Sequence, residues 1–487
     1  KRWLYDTGLR VPLVVRVPEK WRQHVRPDKA DALKPGSTID DLTAFVDFAP
    51  TVLSLAGLPA QRHFQGQAFF GPHRAEKPRE HVYGHRDRMD ETYDLIRTVR
   101  DKRFRYVRNF MPWQPYSQDI AYMNEMPTMQ EWRRLHAEGK LTGPAADWFR
   151  KAKPVEELYD TEVDPYEINN LATDPRFVVT LERLRTRLEG WMGEIGDVGL
   201  IPEPIFDELQ RPNAKYDTTA APGVAPADAM TREGSHSYRL AASTPGASIA
   251  YRVITAGANR DDKPIRWLVT SSERTIGLKE GDELEAKACR IGFRDSEIIR
   301  FKSGQATFAP LKDESRPHWH SRVADRTSRE RSPIGRRNPP SGTVSIPQPG
   351  FVSPVDHRRY PDQFRRAMAN DSAYAFWFLS ESGRALTSAS DRDASELRDV
   401  IFRESSVPLK LIAARWLCEV EDPVPHLKLL VEALSHPQAS VQLQAITALA
   451  DLGEKSRPVI DDIRQATKNG EYVGRVSQRA LKTLEPK

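Results

Sequence analysis

The run Gly84-His85-Arg86-Asp87-Arg88-Met89-Asp90-Glu91 gathers an imidazole, two guanidinium groups and three carboxylates between two strand candidates. A polar loop on a rigid sheet is where recognition usually sits, though the same composition suits a solvated loop. Basic residues are dense from Arg79 to Arg108, a field that would attract a polyanionic substrate. Lys1 offers an ammonium group, which suits an anionic oxygen through a charge-assisted hydrogen bond and suits water equally well. Nucleophiles and metal ligands are harder to find. Cys289 and Cys418 fall in different parts of the chain and form neither a disulfide framework nor a thiolate site. His24, His63, His81 and His136 lack partners at ligand spacing and read as surface or core histidines.

The elements that must carry these residues follow from periodicity. Leu9-Arg10-Val11-Pro12-Leu13-Val14-Val15-Arg16-Val17-Pro18 is a short β-branched run, expected as a buried strand of a mostly parallel sheet. A helix is expected over Asp47 to Leu55, with Asp47 capping its first turn, Pro50 tolerated early and Gly57 and Pro59 as the stop. Val46, Phe48, Ala49, Val52, Leu53 and Leu55 would form its apolar surface. Strands are expected at Glu80–Gly84, Leu95–Val99 and Phe104–Arg108, the last with one wet face, and Glu157–Tyr159 would join them in a small antiparallel sheet. A helix over Pro175 to Met192, with Leu181, Leu184, Leu188 and Trp191 on one stripe, would pack on that sheet. The aromatic residues Trp113, Tyr116, Tyr122, Trp132 and Trp148 crowd the intervening Met111–Lys153, where they suit core packing or stacking on sugar rings.

With 487 residues, three or four domains are expected. Charged content of 29% and a net charge of +5 describe a near-balanced surface, which argues against a nucleic-acid partner, and no apolar run is long enough to span a membrane. The expected order is 1–205, a linker at 206–235, a compact β-sandwich at 236–310, a linker and irregular segment at 311–385, and helical repeats at 386–487. In the last part Leu411/Ala413/Leu417 and Leu443/Ala445/Leu449 recur at a spacing of 32 residues, the mark of an α-solenoid, with an ordinary helical bundle as the alternative. Pro425 and Pro458 fall at matching interhelix positions.

Three resemblances follow. Glu157-Leu158-Tyr159-Asp160, Asp164-Pro165, Glu167 and Asn170-Leu171-Ala172 fit the E-L-Y-D-x-x-x-D-P-x-E-x-x-N-L-A pattern near the end of type I sulfatases. Lys1, Tyr5, Asp6, Gly8, Arg10 and Pro12 fit the family's K-x-x-x-Y-[ED]-x-G-x-R-x-P pattern, and the order of Phe45–Leu58, His81–Gly84, Ile96-Arg97, Arg103–Val107 and Asn170–Phe177 resembles the heparan N-sulfatase branch. Thr244–Arg252 with Lys287–Phe293 and Ser296 resembles the chitobiase/β-hexosaminidase C-terminal module, and the 32-residue period resembles HEAT repeats. The fold implied is multidomain: a partial α/β alkaline-phosphatase-like sulfatase fold ending in an antiparallel sheet and helix, then a β-sandwich, then an α-solenoid.

The resemblance implies hydrolysis of sulfate esters or N-sulfate groups of a sulfated glycan, with Ca2+ and formylglycine as cofactors. It implies that Lys1 contacts the sulfate and that His85, Arg86 and Glu91 grip the sugar. Neither cofactor can be sited here: neither cysteine lies in a C-x-P/S-x-R context, and Asp40-Asp41, Asp261-Asp262 and Asp461-Asp462 do not follow the strand that presents the family's metal pair. The catalytic half is expected upstream of Lys1, the chain alone is expected to be inert, and a periplasmic or secreted enzyme is expected although no export signal is present. Two other readings stand beside this one. One is a phosphate or phosphonate hydrolase of the same superfamily; the other is a non-catalytic protein whose HEAT-like repeats bind a protein partner.

Overall fold

Four runs of alternating or apolar residues pair into one antiparallel sheet in the order β1 (Val82–Met89), β2 (Thr92–Arg100), β3 (Phe104–Asn109) and β4 (Glu156–Asp160). The computed structural model describes residues 3–304, apart from 27, 61–63, 113, 196, 200, 212–213, 228–234, 245, 258–264 and 271–272, together with 398 and 406–485. The four strands expected for this sheet are all present. The expected recognition loop differs, because β1 continues through His85 and Arg86 to Met89 and only Asp90 and Glu91 turn the chain. Asp90 makes that turn at φ 50°, a conformation an aspartate tolerates better than most side chains.

Phe48–Leu55 forms helix α1, with a 3-10 turn at Phe45–Asp47 before it. Asp47 does not cap it. The Asp47 carboxylate instead accepts the amides of Ala44 and Gln67, each at 2.9 Å, and pairs with Arg79. The buried face of α1 is the polar one: the amides of Phe69 and His73 donate to Thr51 Oγ1 and Ser54 Oγ at 3.1 and 2.9 Å. Phe45, Val46, Val52 and Leu55 lie open to solvent.

Residues 10–18, expected as a strand, take no regular structure after a single helical turn at Asp6–Leu9. A strand needs a neighbour to accept its backbone hydrogen bonds, and among the described residues none lies alongside. Helix α2 (Pro127–Ala137) belongs to the aromatic insertion, where Trp132, Tyr116 and Trp148 stack on one another. Helix α3 (Val178–Glu194) packs on β2 and β3 through Leu181, Leu184, Leu188 and Met192. Trp191, expected in that stripe, is half-buried and lies flat against Tyr83, with ring centroids 4.6 Å apart.

The chain divides after Pro202: residues up to that point group with the C-terminal helices, and Glu203–Asn338 form a second unit. Part of the expected linker is ordered, as helix α4 (Glu203–Gln210) and strand β5 (Gly223–Pro226). The strand β5 pairs with β6 (Ser235–Ala241), which pairs with β9 (Glu273–Lys279). A second sheet runs β11 (Ile299–Lys302), β10 (Glu283–Cys289), β7 (Ser248–Ile254) and β8 (Leu268–Thr270). Leu240, Ile249, Leu278, Leu284 and Phe301 from both sheets share one core.

The expected linker at 311–385 lies outside the described residues. Beyond it come α5 (Val407–Val420), α6 (Val424–Ala433), α7 (Ala439–Leu452), α8 (Ile460–Ala466) and α9 (Glu471–Leu484). Helices α5, α7 and α9 each have 14 residues and begin 32 residues apart, so Leu411 and Leu443, and Leu417 and Leu449, occupy matching buried positions.

The centre of the first unit is Glu157. Tyr5 and Tyr159 donate hydroxyls to Glu157 Oε2 at 2.7 and 2.6 Å, while Asn109 Nδ2 and Tyr116 donate to Oε1 at 2.6 and 2.9 Å. Burial, and next the Glu157 charge, push the hydroxyls of Tyr5, Tyr116 and Tyr159 far above the ordinary phenol range, so all three remain donors. Glu157→Ala is expected to destabilise this unit by at least about 3 kcal/mol, since several buried donors lose their acceptor together. Glu162→Ala, on the exposed turn beyond β4, is expected to stay within about 0.5 kcal/mol. Denaturant unfolding of both variants checks the contrast.

Candidate functional site

The segment after Lys1 is pinned to the sheet residue by residue. Trp3 packs edge-on to Tyr116 and Trp148, with the Arg86 guanidinium 4.1 Å from its ring centroid and Lys153 Nζ at 5.6 Å. Leu4 enters a small core with Ile96 and Val107. The close approach of Leu4 and Leu9 to β1 needs the glycine at position 84, since a Cβ there would sit 2.9 Å from Thr98 Cγ2 and 3.3 Å from Leu9 Cδ1.

Asp6 is buried and pairs with Arg105 and, at 3.2 Å, with Arg100. Its amide donates to Glu167 Oε2 at 2.5 Å, and Arg105 Nε lies 2.6 Å from Glu167 Oε1. Arg105, expected on a wet face, is thus enclosed by carboxylates from two segments far apart in sequence. Glu167 holds a left-handed φ of 55°, a strained state for a residue with a side chain, and the contacts to Asp6 and Arg105 keep it there. The signature loop closes on Asn170, whose Oδ1 accepts the amides of Leu158 and Ala172 at 3.0 and 2.9 Å while Nδ2 donates to the Glu156 carbonyl at 3.1 Å. Asn170 therefore serves the edge of β4 as a strand neighbour would.

These elements border an open groove of about 2100 Å3 lined by Asp6, Arg10, Arg79, His85, Arg100 and Lys102 among others. Of the sequence-predicted site residues, the described three, His85, Arg86 and Glu91, are not brought together there. Lys1 lies outside the described residues, as do His63 and Trp113. His85 is exposed and lines the groove. Arg86 points to the opposite face of β1, is buried, and donates to Gln118 Oε1 beside Trp3. Glu91 is buried at the hairpin turn, where Oε1 accepts the Ala121 amide at 2.5 Å.

Several supporting pairs escaped sequence reasoning. Arg97, opposite His85 in the ladder, donates to Asp197 through Nε and Nη2 at 2.6 and 2.9 Å and to Asp87 at 2.8 Å. Asp94 Oδ2 takes Lys153 Nζ at 2.7 Å and Gln118 Nε2 at 2.6 Å, with the Lys153 and Asp94 side chains both fully buried. Their partners lie 59 and 100 residues apart in sequence, so no local spacing announces them. The one available signal was charge inside the β2 pattern: Asp94, Arg97 and Arg100 recur every third residue of a strand whose neighbours are apolar.

Among the described residues no group of three or more His, Cys, Asp and Glu converges as a hard cation needs. Burial pushes the Cys418 thiol up to about 12 and raises Cys289 as well, so neither is poised as a thiolate. The residues described here do not fit calcium or a cysteine-derived nucleophile. Among them no helix is long and apolar enough to cross a membrane.

Residues 1–125 match the family model described as N-sulphoglucosamine sulphohydrolase, C-terminal. This stretch is a sulfatase C-terminal region. An ulvan-active sulfatase from Formosa agariphila is 38% identical over 304 residues, which is 62% of this chain and 47% of that protein. A shared stretch of that length also takes in much of the second unit. Human N-sulphoglucosamine sulphohydrolase is 29% identical over 229 residues, 44% of this chain and 42% of that one. The chain spans less than half the length of these curated relatives. A solved putative sulfatase from Bacteroides thetaiotaomicron is 21% identical across 30% of this chain and 24% of its own, at a TM-score of 0.20, too slight a likeness to carry weight.

The Arg97–Asp197 pair gives a test by pH. Burial pushes the Asp197 carboxyl up, but the hydrogen bonds and charge of Arg97 outweigh it and hold the group below the ordinary carboxylate range. A depressed carboxylate stabilises the fold fully above its unfolded pKa, about 3.9, and that stability is lost as pH falls through the folded value. Asp197→Asn is therefore expected to lower stability at pH 7 and to flatten its fall below about pH 4, as read from denaturant unfolding across a pH series.

Proposed function

We propose that this chain forms one wall of the active site of a sulfatase that hydrolyses sulfate esters or N-sulfate groups of a sulfated glycan. The nucleophile and the metal ligands would come from sequence outside these residues. The observation that supports the reading is the pinning of Trp3, Tyr5 and Asp6 to the sheet, with Asp6 lining the same groove as His85. In this reading the Lys1 ammonium, which precedes this segment in the sequence, contacts the sulfate, and its hydrogen bond strengthens as negative charge grows in the transition state. His85 reads the sugar beside it, while Arg86 acts behind it through Trp3 and Gln118.

The open apolar surface supports the same reading. Leu9, Val11, Leu13, Val14 and Val15 join Phe45, Val46 and Val52 in solvent, and Val14 is 92% exposed. Leu9 to Val15, Phe45 and Val46 line one groove, and apolar side chains gathered on one open surface mark a surface that something covers. In this reading the cover is the catalytic α/β part of the enzyme, where calcium and formylglycine would reside. The sandwich-like second unit and the HEAT-like helices are accessory to it, and the enzyme works outside the cytoplasm.

The test is sulfate release from N-sulfated and O-sulfated glucosamine by the chain alone and by the chain extended upstream with its own coding sequence. Release is expected only from the extended form, with Lys1→Ala lowering kcat/KM by about a hundredfold. Preference for a phosphate monoester over every sulfated sugar would favour the phosphohydrolase reading instead. Undiminished release by Lys1→Ala would remove the cation from the mechanism.

A further inference from the structure

The β1–β2 turn meets the far end of the chain. Glu91 Oε2 faces Arg475 Nη1 of α9 at 3.4 Å, and the Glu91 side chain is only 5% exposed. One helical turn along, Arg479 Nε lies 3.9 Å from Asp119 Oδ2. Residues i and i+4 share a helix face, so a single cationic edge of α9 meets carboxylates from two separate loops. Those loops are already joined. Thr92 Oγ1 donates to the Asp119 carbonyl at 2.9 Å, Glu91 Oε1 accepts the Ala121 amide at 2.5 Å, and Arg88 donates to the Glu91 carbonyl at 3.2 Å. Glu471 of the same helix pairs with Arg475 and favours its cation most, and the charges of Glu91 and then Asp90 add to it.

From this juxtaposition we infer that α9 is a clamp on the recognition hairpin, and that Glu91 is a positioning residue that couples the helical repeats to the strand bearing His85. Both Glu91 oxygens are engaged by protein, so its carboxylate holds the turn and leaves the sugar to other groups. The acidic surface that the helices recognise is the chain's own, composed of the hairpin turn and the start of the aromatic insertion. Only the word recognition rests on the function proposed above; the clamp stands on contacts within the chain.

Hydrogen exchange of the full chain without substrate tests it, so the outcome does not depend on whether the protein is a sulfatase. In Arg475→Ala/Arg479→Ala, exchange across residues 88–93 and 117–124 is expected to quicken about three- to tenfold while residues 407–452 stay protected. Exchanging the charges, with Arg479→Asp in an Asp119→Arg background, is expected to restore protection at 117–124. Raising sodium chloride from about 0.05 to about 1 M in the unsubstituted protein should loosen the same two segments, which decides the matter should a variant fail to fold. Unchanged exchange in both segments at high salt overturns the clamp, as does a loss of protection in the double variant that the charge swap leaves unrestored.

Discussion

A buried carboxylate lies at the heart of the first unit, and it is tolerable because four donors converge on it. Glu157 is fully buried and takes hydroxyls from Tyr5, Tyr116 and Tyr159 and an amide from Asn109. Leaving any such acceptor or donor unmatched in a low-dielectric interior is costly. The segment after Lys1, the strand β3, the aromatic insertion and the signature loop must therefore assemble together. A few ångströms away the same rule acts with opposite charges: Asp6, Arg100, Arg105 and Glu167 are buried as a group, and none would be stable there alone. The E-L-Y-D signature is thus an anchoring device, and its polar residues hold the segment that leads to the proposed sulfate contact.

The open apolar surface follows a different logic. Helix α1 satisfies its polar face with Thr51 and Ser54 against a loop and leaves Val46 and Val52 outside. Residues 10–18 are composed like a sheet strand yet find no ladder among the described residues. Both features leave apolar or strand-like surface without a partner among the described residues, which is the surface the proposed function assigns to the rest of an enzyme.

Period and contact divide the labour in the C-terminal helices. Three helices of equal length set 32 residues apart bury leucine and alanine at matching turns, which explains why their core is regular. Their outer charges are not regular. Arg475 and Arg479 belong to the last helix and have an acidic surface opposite them, so the terminal repeat differs from its neighbours in what it touches.

Local pattern alone determined the four strands of the first sheet, helix α3, three strands of the second unit and the 32-residue helical period, because alternation and helical spacing report which side of an element is apolar. It also identified the sulfatase signature. The tertiary structure decided the rest, wherever a residue's environment depends on a partner distant in sequence. Asp47, written like a helix cap, became a clasp for Arg79 and the Gln67 amide; Arg105, written like a solvent-facing cation, became buried between Asp6 and Glu167. The loop expected around His85 became strand because Arg97 and Ile96 lay in register to pair with it. Charge on a side chain says that it needs a counterpart, but only folding brings that counterpart near.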